Sequence, residues 1–194
     1  MDGFQRRKEL KKQSILEAGL ALFMEYGIQK VSIAEIAEKA NVSQVTIYNY
    51  FESKHKLSKD VFEYYITKAS EDFEKLVYSD LPFPEKIKQI IFNKKEISKQ
   101  IHQEFYYFLM KEYADEGNIL EKIYVEKALP YFSKLFEEGK QQGYVDPNLS
   151  QEAILLYVQM LKDYMQREDV YTKVLPLTED ITNIFFYGII GKKQ

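Results

Sequence analysis

The stretch Ser32-Ile33-Ala34-Glu35-Ile36-Ala37-Glu38-Lys39-Ala40-Asn41-Val42-Ser43-Gln44-Val45-Thr46-Ile47-Tyr48-Asn49-Tyr50-Phe51 decides the fold of everything around it. Ser32 can cap a helix by accepting from the amide three residues on, where Glu35 can return a bond to the Ser32 amide. Ile33, Ile36, Ala37 and Ala40 follow at helical spacing and form an inward face. Ala37 is small where a second helix must cross closely. Four residues later stands Asn41, which tolerates the left-handed backbone of a tight turn. Val42 and Ile47 supply an apolar plug, with Ile47 ten residues after Ala37. A small residue, a left-handed turn residue four on and a branched apolar residue six beyond it have the spacing of a helix-turn-helix.

Ser43 caps the second helix of the pair, yet its capping-box position holds Thr46 in place of an acid. No acidic side chain occurs from Ser43 to Phe51. A carboxylate there would face phosphate, whereas Gln44, Thr46, Tyr48 and Asn49 offer neutral donors and acceptors suited to a DNA groove. Ser53 caps the next helix, with Lys54 in its first turn and Lys56 close behind, so free amides, helix dipole and ammonium groups converge where an anion could bind. The bland alternative is a three-helix packing unit with ordinary caps, and the agreement of several independent features weighs against it.

The charge distribution fits the motif. The whole chain of 194 residues nets −3, but residues 1–56 net +2 and the remainder −5. Arg6, Arg7, Lys8, Lys11 and Lys12 cluster at the start with only Asp2 and Glu9 as acids. Such an arm can lie along phosphates or be a frayed, solvated terminus, and composition leaves both open. The absence of cysteine excludes disulfides, thiolate metal sites and cysteine nucleophiles. The polar start has no signal-peptide stretch and no apolar run suits a membrane span, so a non-exported, soluble chain is expected.

Only 8 glycines and 5 prolines punctuate the sequence, and Leu, Ile, Lys, Glu, Gln and Ala recur at three- and four-residue spacing. The expected fold is all-α. A three-helix N-terminal domain, residues 1–55, joins a larger helical domain, residues 56–194, through a long helix from Ser53 to about Tyr78. The first helix spans about Arg7 to Tyr26 and stops at Gly27. Further helices are predicted at roughly Pro84–Ile101, His102–Ala114, Asn118–Gln142 with a kink at Pro130, Ser150–Arg167 and Thr178–Ile190.

The strings Ile15-Leu16-Glu17-Ala18-Gly19-Leu20-Ala21-Leu22-Phe23, Tyr26-Gly27, Val31-Ser32-Ile33-Ala34-Glu35-Ile36-Ala37, Asn41-Val42-Ser43 and Ile47-Tyr48-Asn49-Tyr50-Phe51-Glu52-Ser53-Lys54 together resemble the N-terminal domain of the TetR/AcrR family of bacterial regulators. The likeness covers about residues 10–60. It implies that Ser32, Tyr48 and Lys54 take phosphate-contact positions, and that Gln44, Val45, Thr46 and Asn49 lie on the base-facing side of the recognition helix, after its cap Ser43. Asn41 stands where the family usually has glycine, and Val45 where a small residue is frequent. The valine methyls could touch a thymine methyl or hold the helix slightly out of the groove.

Residues 80–194 carry no comparable signature. Aromatics are dense there and on the long helix. Phe62, Tyr65, Phe105, Tyr106, Phe108, Tyr113, Tyr124 and Tyr131 are candidates to line a pocket for a largely apolar or aromatic small molecule, with a packed core as the competing role for each. His55 and His102 are too far apart for a helical metal pair and read as solvated or packed. No nucleophile, phosphate loop, metal site or cofactor motif is evident, so an enzyme is not expected. Two late apolar stripes need a partner: Ile154, Tyr157, Val158, Leu161, Tyr164 and Met165, then Ile181, Ile184, Phe185, Gly188 and Ile189. The resemblance implies that they pair into a four-helix homodimer interface, against a monomeric core as the alternative. It further implies a cytoplasmic repressor on an inverted-repeat operator in double-stranded DNA, released by a small-molecule effector. A DNA-bound structural or partner-controlled protein without an effector is the other reading.

Overall fold

The computed structural model describes residues 3–114 and 119–189, and every regular element among them is helical, as the sequence predicts. In chain order they are α1 (Gly3–Tyr26), α2 (Ile33–Lys39), α3 (Gln44–Phe51), α4 (Lys54–Val77), α5 (Phe83–Gln100), α6 (Gln103–Ala114), α7 (Ile119–Ile123), a π-helical turn (Tyr124–Ala128), α8 (Leu129–Gln141), α9 (Gln151–Met165), α10 (Glu168–Val174), a 3-10 turn (Leu175–Leu177) and α11 (Thr178–Ile189). No described helix is long and apolar enough to cross a membrane.

The chain divides into two compact units. The first comprises Met1–Thr67 with Ile101–Leu109, and the second Lys68–Gln100 with Met110–Gln194. Helix α4 therefore runs from one unit into the other, and α6 does the same between Leu109 and Met110. These boundaries differ from the division at residue 55 expected from the sequence.

Ile15, Phe23, Ile36, Ile47, Phe51, Leu57, Val61 and Phe105 are almost wholly buried and make the core of the first unit. Its helices approach closely where side chains shrink. A Cβ at Gly19 would lie 2.9 Å from Val61 Cγ2, so a larger residue there would force the buried Val61 side chain or the helices to shift. Helix α1 ends as expected at Gly27, whose φ of 81° is left-handed and whose amide donates to Phe23 O at 3.1 Å. The basic residues before it belong to the helix: α1 begins at Gly3, and Arg6, Arg7, Lys8 and Lys11 lie exposed along it.

In the second unit Val77, Phe83, Ile87, Ile90, Leu135, Phe136, Ile154, Val158 and Phe186 form one apolar cluster. Two features depart from the sequence reading. The helix expected to kink at Pro130 is divided, with a π-helical turn in which the Leu129 amide donates to Tyr124 O. Pro130 then sits in the first turn of α8, where a missing amide hydrogen costs little. Helix α10 is the second departure: Arg167-Glu168-Asp169 carries no side-chain cap for it, although acids fill its first turn.

Candidate nucleic-acid interface

Local hydrogen bonds build the helix-turn-helix. Ser32 Oγ accepts from Glu35 N at 3.2 Å while Glu35 Oε2 accepts from Ser32 N at 2.7 Å, closing the expected capping box. These bonds hold the Glu35 carboxyl below its ordinary pKa, the Ser32 amide contributing most and its hydroxyl next. At the turn Asn41 has φ 53°, the left-handed value for which asparagine is suited, and Val42 N donates to Ala37 O at 2.9 Å. Ser43 Oγ then accepts from Thr46 N at 3.1 Å to start α3, and the two hydroxyls lie 2.8 Å apart.

Helix α3 points two ways. Ile47 and Phe51 are buried at 1% exposure each, anchoring the helix in the core of the same unit. Gln44, Val45, Tyr48 and Asn49 are exposed, Val45 at 68% and Tyr48 at 49%, leaving a neutral outward face without a carboxylate. The helix ends at Glu52, which the sequence reading passed over: its φ of 62° is unusual for a residue with a side chain, and its amide bonds Tyr48 O at 2.9 Å. Ser53 Oγ accepts from Lys56 N at 3.1 Å, as the predicted cap of α4 requires.

The two lysines at that corner differ. Lys56 Nζ pairs with Asp60 Oδ1 at 2.5 Å, which raises its pKa and commits its charge to its own helix. Lys54 Nζ donates to Gln29 O at 3.2 Å in the α1–α2 loop and keeps two hydrogens for another acceptor. That loop has a second tie. Gln29 N donates to Glu104 Oε1 at 2.9 Å, His102 N donates to Met24 O at 2.7 Å, and His102 Nδ1 accepts from Glu104 N at 3.2 Å to cap α6. His102 thus packs, one of the two fates read for it. The roles of Gln29 and Glu104 had no sequence signal, since the two residues are 75 positions apart.

Of the candidate pocket aromatics, Phe62, Tyr65, Phe105 and Phe108 come together within the first unit. Phe62 and Phe108 meet edge-on at 6.2 Å and Tyr65 meets Phe105 at 6.2 Å. Phe62 and Phe105 are core, with 3% and 0% exposure. Tyr106 is half-buried beside Tyr107. Tyr124 and Tyr131 belong to the second unit, both buried, and the side chain of Tyr113 lies outside the described residues. Of the candidate dimer residues, Ile154 and Val158 turn into their own unit's core, while Leu161, Met165, Ile181 and Phe185 are half-buried. Tyr157, Tyr164, Ile184 and Gly188 are exposed, joined by Leu156, Met160 and Tyr187, which the sequence reading left out of its stripes; the side chain of Ile189 lies outside the described residues. Between α9, α10 and α11 lies a groove of about 410 Å³ lined by Leu161, Met165, Val174 and Ile181 among others.

Caps, left-handed turn, inward plug and acid-free outward helix together define a helix-turn-helix DNA-binding protein. Comparison with known proteins agrees with this assignment of the N-terminal segment. Residues 15–61 match the family described as bacterial regulatory proteins, tetR family. The HTH-type transcriptional regulator YhgD of Bacillus subtilis is 26% identical over 162 residues, covering 79% of this chain and 84% of that protein. The TetR regulatory protein of Mycobacterium vanbaalenii has a similar fold, with TM-score 0.64 at 16% identity over 97% of this chain and 99% of the other. FadR of Bacillus subtilis, solved in complex with stearoyl-CoA, superimposes with TM-score 0.57 at 18% identity over 91% and 98% of the two chains. Residues 15–61 thus carry a helix-turn-helix of the tetR type, and the chain is similar over most of its length to an HTH-type transcriptional regulator. These relatives and fold neighbours are regulators, not enzymes.

Proposed function

We propose that the chain is a homodimeric repressor of the bacterial cytoplasm that grips an inverted-repeat operator and releases it when a largely apolar small molecule binds. Residues 1–55 serve as reading head and residues 56–194 as effector-binding and dimerising domain. The observation that carries the reading is the outward face of α3, exposed and free of carboxylates over Ser43–Phe51. Gln44, Val45, Thr46 and Asn49 face base edges, while Ser32, Ser43, Tyr48 and Lys54 lie toward phosphates, Lys54 through the two hydrogens left free by Gln29. Two heads require two chains, and the exposed apolar row of α9 and α11 supplies a surface for a second copy.

An effector in the second unit would act through α4 and through Ile101–Leu109, because both continue into the first unit. Altered spacing of the two heads then lowers affinity for a site that needs both at once. FadR of Bacillus subtilis, of the same fold, holds stearoyl-CoA, which supports a ligand with a long apolar part. A regulator without any effector has one observation in its favour: Phe62 and Phe105 are packed core rather than open lining. Operator sites selected from random DNA, followed by fluorescence anisotropy over a salt series, test the head. Affinity should fall by orders of magnitude from low to high salt, and a flat response refutes the phosphate assignments. Compounds that release the selected DNA establish the effector; a chain that no compound displaces is the partner-controlled protein.

A further inference from the structure

The first turns of α1 carry charge that nothing described in the chain answers. The side chains of Arg6, Arg7, Lys8, Lys11 and Lys12 have no hydrogen bond or ion pair among the described residues. Elsewhere, helical lysines take an acid three or four positions away, as Lys56 does with Asp60, Lys75 with Asp72, Lys88 with Glu85 and Lys99 with Glu96. Here Arg7 stands four residues before Lys11 and Lys8 four before Lys12, like charges at a spacing that weakens a helix. No acid lies in the first turn, and cations near a helix start oppose its dipole. Residues 3–10 are all exposed, Phe4 and Leu10 included, so burial gives no compensation. A helical extension of this composition is costly alone and suited to a polyanion.

One contact joins this extension to the recognition helix: Tyr50 Oη on α3 donates to Lys8 O at 3.2 Å. The backbone of α1 at Lys8 therefore lies within one side chain of the helix whose outward face is Gln44, Val45, Tyr48 and Asn49. A major groove about 12 Å wide carries phosphates along both sides of a helix inserted into it. The Lys54 corner is elsewhere, because Lys54 Nζ reaches Gln29 O just beyond the far end of α1. From Lys8 to Tyr26 the helix axis runs about 27 Å at 1.5 Å per residue. The two positive clusters thus sit toward opposite ends of one helix, too far apart to share a phosphate.

We propose that the start of α1 is a second phosphate clamp: Lys8 and Lys11, with Arg7 and Lys12 beside them, bind the DNA backbone flanking the bases that α3 reads. Tyr50 is a positioning residue that holds the clamp against α3 without touching DNA. The partner is the duplex backbone and not a particular sequence, since ammonium groups on flexible stems meet phosphate charge without reading base edges. This rests on the reading of the first unit as a DNA-binding head.

The test is fluorescence anisotropy of the full chain on a selected operator duplex over a salt series, with hydroxyl-radical footprinting of the same complexes. Lys8→Gln/Lys11→Gln should bind more weakly at low salt, and its slope of log affinity against log salt should be shallower by about 1.8 per protomer, near 0.9 for each phosphate contact removed. Its ranking of operator sequences should be unchanged and its footprint should shorten at the flank. It should melt at or above the wild-type temperature, because like charges have left the helix start. Tyr50→Phe should flatten the slope by less, and should add nothing in the Lys8→Gln/Lys11→Gln background. A tyrosine that only supported folding would lower the melting temperature and leave the slope alone. Lys111→Gln/Lys134→Gln, which removes the same charge from exposed positions of the second unit, should keep the wild-type slope. An unchanged slope or footprint in Lys8→Gln/Lys11→Gln, or equal flattening in Lys111→Gln/Lys134→Gln, overturns the clamp and leaves the α3 reading standing. A wild type whose affinity ignores salt overturns both.

Discussion

Helices α3 and α9 are made by the same local device and end with opposite chemistry. Each starts at a serine whose Oγ accepts from the amide three residues on, Thr46 N at 3.1 Å and Ala153 N at 3.1 Å. Each buries part of its surface, Ile47 and Phe51 in α3, Ile154 and Val158 in α9. Outward, α3 shows Gln44, Tyr48 and Asn49, and α9 shows Leu156, Met160 and Tyr164. A cap says where a helix begins, while the face left over after burial limits what it can meet: polar groups for one, an apolar surface for the other.

The sharpest way to break this contrast is to give α9 the polarity of a surface that meets nothing. Met160, 60% exposed, should tolerate aspartate in an isolated chain; in a dimer the charge is buried without a partner. Met160→Asp should sediment as a folded monomer and lose roughly 10²–10⁴-fold in operator affinity, the gain that two linked heads confer. A Met160→Asp protein that remains dimeric removes this face from the interface.

The face of α3 divides next. Tyr48→Ala should weaken binding to all DNA sequences, whereas Gln44→Ala and Asn49→Ala should change which bases are preferred, each by about 1–3 kcal/mol. Selection from random DNA with each variant separates the two patterns, and identical profiles abolish the distinction between phosphate-facing and base-facing residues.

The shared device predicts a shared cost. Ser43→Ala and Ser150→Ala should each lose about 1 kcal/mol in chemical denaturation, with only Ser43→Ala altering DNA affinity. Equal effects on DNA would mean that the caps are not local.

The smallest effect is one of pH. Because the Ser32 bonds depress the Glu35 pKa in the folded chain, their stabilisation is present above the ordinary carboxylate pKa and is lost as pH falls through the depressed value. Glu35→Gln should flatten the acid limb of the stability profile slightly; an unchanged limb would show that the capping box does not couple to folding.

Much of the reading head was legible because its determinants lie within a few residues of each other. Ser32 with Glu35, Ser43, and Asn41 after Ala37 act through bonds spanning three to five positions. The left-handed Glu52 was not legible, since glutamate gives no hint of φ 62° and the tight passage from α3 to α4 imposes it. Nor could the sequence show that Ile101–Leu109 packs with the first unit, or that Lys54 and Glu104 both reach the Gln29 backbone. In α9 the wide apolar stripe was evident, but Ile154 and Val158 were read with Tyr157 as one interface. Only packing separates the residues that fill the core from Leu156 and Met160 beside them.

Helix starts, the turn and the acid-free recognition helix were thus written in the chain itself, because short-range hydrogen bonds and side-chain periodicity need no distant partner. Which apolar face stays exposed, which lysine finds an acceptor and which does not were decided by tertiary packing. Lys86 and Lys94 are alike as residues on one helix; only the arrival of Val77 O and Glu138 at one of them makes it structural, while the other stays exposed.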